Sequence, residues 1–211
     1  MPRSDEEATA RSGAPFALVV TGSAGSGKST IAVGIAQRCG ATYLDKDSLA
    51  GALVDAAMIA QGHSPRERES SAFYRERIMP AEYAALMSVA GDNLRLGRPV
   101  VIDAPFAAYL DQPDYFLEAT ARAGWPAVPL TVMQVFAPEA ETRRRLEARG
   151  LERDRAKLGD WDAFWSRWGT VSLSWQGVRH LRVDSSRPLD LDDLLAQIDG
   201  EGSPPARGVT A

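Results

Sequence analysis

Cysteine and histidine are nearly absent from this chain, which has one cysteine and two histidines in 211 residues. A lone Cys39 excludes an internal disulfide and a cysteine metal cluster, and it fits a reducing compartment. His63 and His180 show neither ligand spacing nor a neighbouring nucleophile, which points to solvent-exposed or structural roles. No Ser-His-Asp or zinc arrangement can be assembled from these residues. Excess positive charge is also missing. With 24 Lys and Arg against 28 Asp and Glu, the net charge is −4, so nothing predicts a strong electrostatic hold on nucleic acid or on an anionic membrane. No apolar run reaches membrane-spanning length. Residues 1–14 are polar and carry Asp5, Glu6 and Glu7, unlike a signal peptide. The expectation is a soluble, cytoplasmic protein of one domain.

What the chain does have is a glycine-rich run, TGSAGSGKST, at residues 21–30. Gly22, four residues, Gly27, Lys28 and Ser29 meet the Walker A pattern. An apolar, β-branched stretch, 16–21, precedes it and suits a strand buried on both faces. A proline-free helical pattern over 28–38 follows and stops at Gly40. A loop joining strand to helix in this way aims backbone N–H groups and the helix dipole at a polyphosphate. Gly22, Ser23, Ala24, Gly25, Ser26, Gly27, Lys28, Ser29 and Thr30 are therefore the expected nucleotide cradle. Lys28 reaches the β- and γ-phosphates and the Ser29 hydroxyl holds Mg²⁺.

Further strands are predicted at 42–44, 100–103, 130–136 and 181–183. Helices are predicted at 48–60, 112–123, 138–149 and 189–198. A longer helical stretch, 70–96, is expected to break or kink near Pro80 and Gly91. Such alternation signals a parallel sheet covered on both faces. Residues 1–14 and 200–211 read as disordered tails around a domain spanning 15–199.

Ligands in open α/β sheets bind beyond the carboxyl ends of the strands, where Asp45, Asp47 and Asp103 fall. Asp103 after Val-Val-Ile is placed as a Walker B carboxylate for Mg²⁺, or as a turn or helix cap before Pro105. Asp47 is placed as the base that accepts an acceptor hydroxyl's proton, or as the N-cap of the helix from 48. Asp45 lies near the metal or shapes a turn.

With the cradle, LDKDSL at 44–49, VVIDAPF at 100–106 and an arginine-rich segment, the chain resembles small P-loop kinases of the adenylate-kinase-like group. These include shikimate and gluconate kinases, chloramphenicol phosphotransferase and the zeta-toxin kinases. The resemblance implies a three-layer α/β P-loop NTPase fold with a central parallel sheet and an arginine-rich, helical lid. It implies ATP and Mg²⁺ as cofactors, and it places the second acid of Asp45-Lys46-Asp47 beside the acceptor. It also implies acceptor contacts over about 48–96 and nucleotide contacts by Asp184 and Ser185. On residue chemistry alone those two are a turn and a helix start.

The arginine-rich segment, 141–165, contains Arg145 and Arg149 four residues apart, then Gly150 as a break. Arg143 and Arg144 read as a solvated face paired with Glu141, Glu147 and Glu152. Arg149 and Arg153 flank the hinge of a lid over about 149–160. They are the expected closing arginines, with Lys157 a third candidate. Trp161, Phe164, Trp165 and Trp168 form a stripe at helical spacing, either core or an acceptor wall. Between the second and third strands, Arg66, Arg68, Tyr74, Arg75 and Arg77 either contact the acceptor or form a charged face with Glu67, Glu69 and Glu76.

The leading expectation is an ATP-dependent O-phosphotransferase acting on a hydroxyl of a small molecule, such as an antibiotic or other natural product. A monomer and a homodimer are equally compatible with it. A polynucleotide 5′-hydroxyl kinase and a regulatory nucleotide switch are the rival readings.

Overall fold

The computed structural model describes residues 14–68, 70–169 and 171–199. The expected tails at 1–14 and 200–211 lie outside it, apart from residue 14. Among the described residues five strands pair in parallel: β1 (Ala17–Thr21), β2 (Thr42–Asp45), β3 (Val100–Asp103), β4 (Leu130–Phe136) and β5 (Arg179–Asp184). Their order is β2-β3-β1-β4-β5. β1 is central, and all five of its residues are buried, which is why it reads as an uninterrupted apolar run rather than an alternating one.

The two faces of the sheet are covered differently. On one, Leu18, Val20, Val101, Met133 and Val183 pack under α1 (Lys28–Cys39) and α8 (Leu191–Asp199). On the other, Ala17, Val19, Val100, Ile102 and Val132 pack under α3 (Met79–Arg95) and α4 (Tyr115–Arg122), together with Phe106 and Trp175. The result is the expected three-layer P-loop NTPase architecture. Helix α2 (Lys46–Ala60) forms a smaller apolar cluster through Ala50, Val54 and Met58 with Tyr74. The chain between β4 and β5 adds α5 (Glu139–Arg149), the short α6 (Arg155–Gly159) and α7 (Trp161–Trp168).

The two breaks expected in the long helical stretch fare differently: an irregularity does fall just before Pro80, while the one at Gly91 needs correction. Helix α3 begins only at Met79, after one π-helical turn, Tyr74–Ile78, with Pro80 accommodated in its first turn, where a missing N–H has no partner to lose. Gly91 produces no break. It lies inside α3, and a Cβ there would come within 2.8 Å of Trp125 Cδ1, so it is a packing glycine rather than a helix stop.

Candidate active site

The chain leaves β1 through Gly22–Thr30, over the carboxyl edge of the sheet. A side chain at Gly22 is excluded by the backbone of β4, because a Cβ would lie 2.3 Å from the Val135 carbonyl oxygen. Gly27 takes the left-handed region (φ 85°) at the N-cap of α1 and supplies no capping side chain. The first-turn N–H groups of α1 thus remain open to an anion, with the helix dipole behind them.

Asp103 lies at the end of β3, fixed by neighbouring bonds across to β1: Ala104 N–H donates to the Val20 carbonyl, and the Thr21 hydroxyl donates to the Pro105 carbonyl. Its side chain is fully buried, and Lys28 Nζ lies 3.7 Å from Oδ1. The Tyr43 hydroxyl donates to Oδ2 at 2.9 Å. Oδ1 has no hydrogen-bond partner, and neither has the buried Ser26 Oγ in the loop. Leaving a buried polar atom unsatisfied costs about 1–3 kcal/mol. Both atoms belong to the set that a polyphosphate and its Mg²⁺ would complete, so the residues fit that cofactor. Among the described residues no group of three or more His, Cys, Asp or Glu is arranged to hold a metal. Mg²⁺ needs no such cage, since it binds through one or two protein oxygens plus phosphates and waters. Asp103 Oδ1 is a carboxylate oxygen free for such a role, and Ser29 stands in the first turn of α1.

Helix α2 starts two residues earlier than expected, and its cap is Asp45, whose side chain accepts from Ser48 N–H at 2.7 Å. The capping alternative considered for Asp47 therefore belongs to Asp45. Asp45 is also the register partner of Asp103 on β3. Asp47 stands in the first turn of α2 with its side chain half exposed, 3.1 Å from Lys46 Nζ. The Lys46 side chain is only 9% exposed and also meets Glu82 Oε1 of α3 at 2.8 Å; Glu82 is fully buried. The Tyr74 hydroxyl donates to the other Glu82 oxygen at 2.8 Å. A connected chain, Tyr74–Glu82–Lys46–Asp47, thus runs from the π-helical turn to the first turn of α2. Burial first, and then the bond to Glu82, push the Tyr74 hydroxyl well above its ordinary pKa, so it stays a donor.

Of the acceptor-side residues named from the sequence, Tyr74 is joined to Asp47 by this chain. Arg66 instead lies 3.5 Å from Glu152 at the exposed surface, Arg75 donates to the Ser70 carbonyl, and Arg68 binds the Gly51 carbonyl and Asp55.

Gly150 ends α5 in the left-handed conformation, the break expected after Arg149. Arg149 makes two bonds, 2.6 and 2.8 Å, to the almost fully buried Asp154. Lys157 lies 3.9 Å from the same carboxylate. Arg153 falls in the turn Glu152–Asp154, and its side chain lies outside the described part. Among the described side chains of this segment, Arg145 reaches the cradle: it donates to the Ser185 hydroxyl and carbonyl, both at 2.8 Å, and to the Gly25 carbonyl at 3.4 Å. The Ser185 hydroxyl in turn donates to the Ser26 carbonyl at 2.6 Å. Asp184 accepts from the Ser186 hydroxyl and N–H, bonds that hold its carboxyl below the usual range. Arg143 and Arg144 pair with Glu147 and Glu141 on the exposed face. Bonds from Arg144 and then Arg145 lower Glu141 to about 2. Trp161 and Phe164 form a small core with Leu146, against which Ala24 of the loop and Trp165 pack. The aromatic stripe therefore serves as core, docked on the cradle.

Sequence reasoning missed four residues of this site: Tyr43, Lys46, Glu82 and the cradle contact of Arg145. A signal existed for Glu82, since it shares a helix face with Leu86 and Ala90, both fully buried. Tyr43 and Lys46 left none, because their roles depend on β2 pairing with β3 and on α2 meeting α3.

Residues 18–168 match the family model described as an AAA domain (AAA_33), and the chain belongs to that family. No curated protein matches it. Among solved structures it is similar to a candidate kinase from Chloroflexus aurantiacus (18% identity, TM-score 0.63, covering 88% of this chain and 97% of that one). It is also similar to a sugar kinase from Janibacter (16%, 0.56, 87% and 91%) and to a tunicamycin resistance protein from Deinococcus radiodurans (17%, 0.53, 88% and 94%). At these identities the likeness is one of fold, and it agrees with the resemblance drawn from the motifs.

Proposed function

We propose that this protein is an ATP-dependent O-phosphotransferase that moves the γ-phosphoryl group of ATP to a hydroxyl of a small molecule. The observation that carries the reading is the pairing of two features at one sheet edge. One is an open helix N-terminus beside Lys28 and a buried, half-partnered Asp103. The other is a half-exposed carboxylate, Asp47, braced by a buried ion pair. Loop amides and Lys28 bind and orient the polyphosphate. Ser29 and Asp103 would hold Mg²⁺, which neutralises charge on the phosphates when bound. Asp47 accepts the acceptor hydroxyl's proton as that oxygen attacks phosphorus in line, and ADP departs. Residues 48–96 form the acceptor side and 149–160 the lid, where Arg149 changes partner from Asp154 to the phosphoryl group on closure.

The test is mass spectrometry of a pooled library of hydroxylated metabolites and antibiotics incubated with protein, ATP and Mg²⁺. Antibiotics are included because one relative of the same fold is named a tunicamycin resistance protein. One compound should gain a single phosphate with the wild type and not with Asp47→Asn. Steady ATP hydrolysis with no compound modified would contradict the reading.

A further inference from the structure

We infer that Tyr43 is a positioning residue that holds Asp103 away from Lys28, so that the lysine stays available to phosphate and the carboxylate to Mg²⁺. The inference rests on the Mg²⁺-ATP reading above and extends it to a residue outside the cradle. Tyr43 lies on β2, opposite Val101 of β3, and its ring packs against the cluster beneath α1. Packing alone would be met by phenylalanine. Among the described residues the hydroxyl's hydrogen-bond partner is Asp103 Oδ2, at 2.9 Å.

That bond explains an otherwise costly geometry. Asp103 is fully buried and Lys28 is nearby, yet the two stand 3.7 Å apart, outside hydrogen-bond distance, and Oδ1 has no hydrogen-bond partner. An unconstrained carboxylate in a low-dielectric site would close onto the ammonium, because a direct charge-assisted bond is the strongest available to either. Tyr43 supplies the competing donor on the opposite oxygen and keeps Oδ1 facing the cradle. The Ser26 Oγ is likewise buried without a partner, a second polar atom at the cradle that a ligand would satisfy.

Tyr43→Phe removes the hydroxyl and leaves the packing. The measurement is binding of fluorescent ATP to the acceptor-free protein, titrated with Mg²⁺ at fixed nucleotide, for wild type, Tyr43→Phe, Asp103→Asn and the double variant. A hydrogen bond to a charged group is strong enough to predict about a tenfold rise in the Mg²⁺ concentration for half-saturation in Tyr43→Phe. Adding Tyr43→Phe to Asp103→Asn should then change little, because the two act as one unit. A Tyr43→Phe titration within twofold of wild type, or an effect that adds in full to that of Asp103→Asn, overturns the inference and leaves the phosphotransfer reading standing. Absence of Mg²⁺-dependent ATP binding in the wild type overturns both.

Discussion

Asp47 and Asp103 are both aspartates at the carboxyl edge of the sheet, but their surroundings give them different work. Asp103 is fully buried against Tyr43 and Lys28, where a carboxylate is fixed and shielded. Asp47 is half exposed and touches Lys46, where it is held yet open to a molecule arriving from solvent. Loss of a general base, the role proposed for Asp47, lowers turnover by about 10²–10⁴-fold. Asp47→Asn should therefore lose phosphoryl transfer by at least about a hundredfold while its ATP dissociation constant, from titration calorimetry, stays near that of the wild type. Tyr74 tests the brace behind it. Tyr74→Phe strips one Glu82 oxygen of its donor, and a buried acceptor left unpaired should cost about 1–3 kcal/mol in urea unfolding. At this scale the Walker A residues were legible because local spacing alone defines them. Lys46 was not, since nothing in its neighbourhood along the chain announces a partner 36 residues away on α3.

Two glycines inside helices show how elements are specified. Gly51 in α2 has open space where a Cβ would be, whereas Gly91 in α3 faces Trp125 and the Ala123 carbonyl within about 3 Å. Gly51→Ala should stabilise the protein by up to about 1 kcal/mol through helix propensity. Gly91→Ala should destabilise it by about 1–3 kcal/mol, since overpacking outweighs the same propensity gain; thermal unfolding distinguishes the two signs. The break expected at Gly91 failed for this reason, as only the tertiary contact with Trp125 separates a packing glycine from a terminator. Gly40 and Gly150, by contrast, end α1 and α5 in the left-handed conformation, where a local signal and the local geometry coincide. β4 was legible to the residue because it is a long apolar run with punctuation on both sides. β5 was read short, since the half-buried Arg179 and the exposed His180 and Arg182 interrupt the apolar pattern.

Across the whole molecule, alternation of strand and helix was enough to anticipate a parallel sheet in three layers, but not the strand order, which is set by crossovers that leave no local trace. The tyrosines carry a global prediction. Tyr43, Tyr74, Tyr83, Tyr109 and Tyr115 are all raised above the ordinary tyrosine pKa, mainly by burial. In the unfolded chain they ionise near pH 10. The folded state binds their protons more tightly, so the stability they contribute is fully present below pH 10 and is lost progressively as pH rises beyond it. The denaturation midpoint should hold up to about pH 9 and then fall, with tyrosinate absorbance at 295 nm rising together with unfolding rather than ahead of it.

The central claim is that donor and acceptor chemistry meet at one sheet edge, and the most direct measurement follows the γ-phosphoryl group itself. ATP carrying ¹⁸O in that group, incubated with the protein, Mg²⁺ and the hydroxyl library, should deliver labelled phosphate intact to one compound. Asp47→Asn should bind the same ATP and deliver none. Label appearing only as free inorganic phosphate, at the same rate in both proteins, would contradict the account.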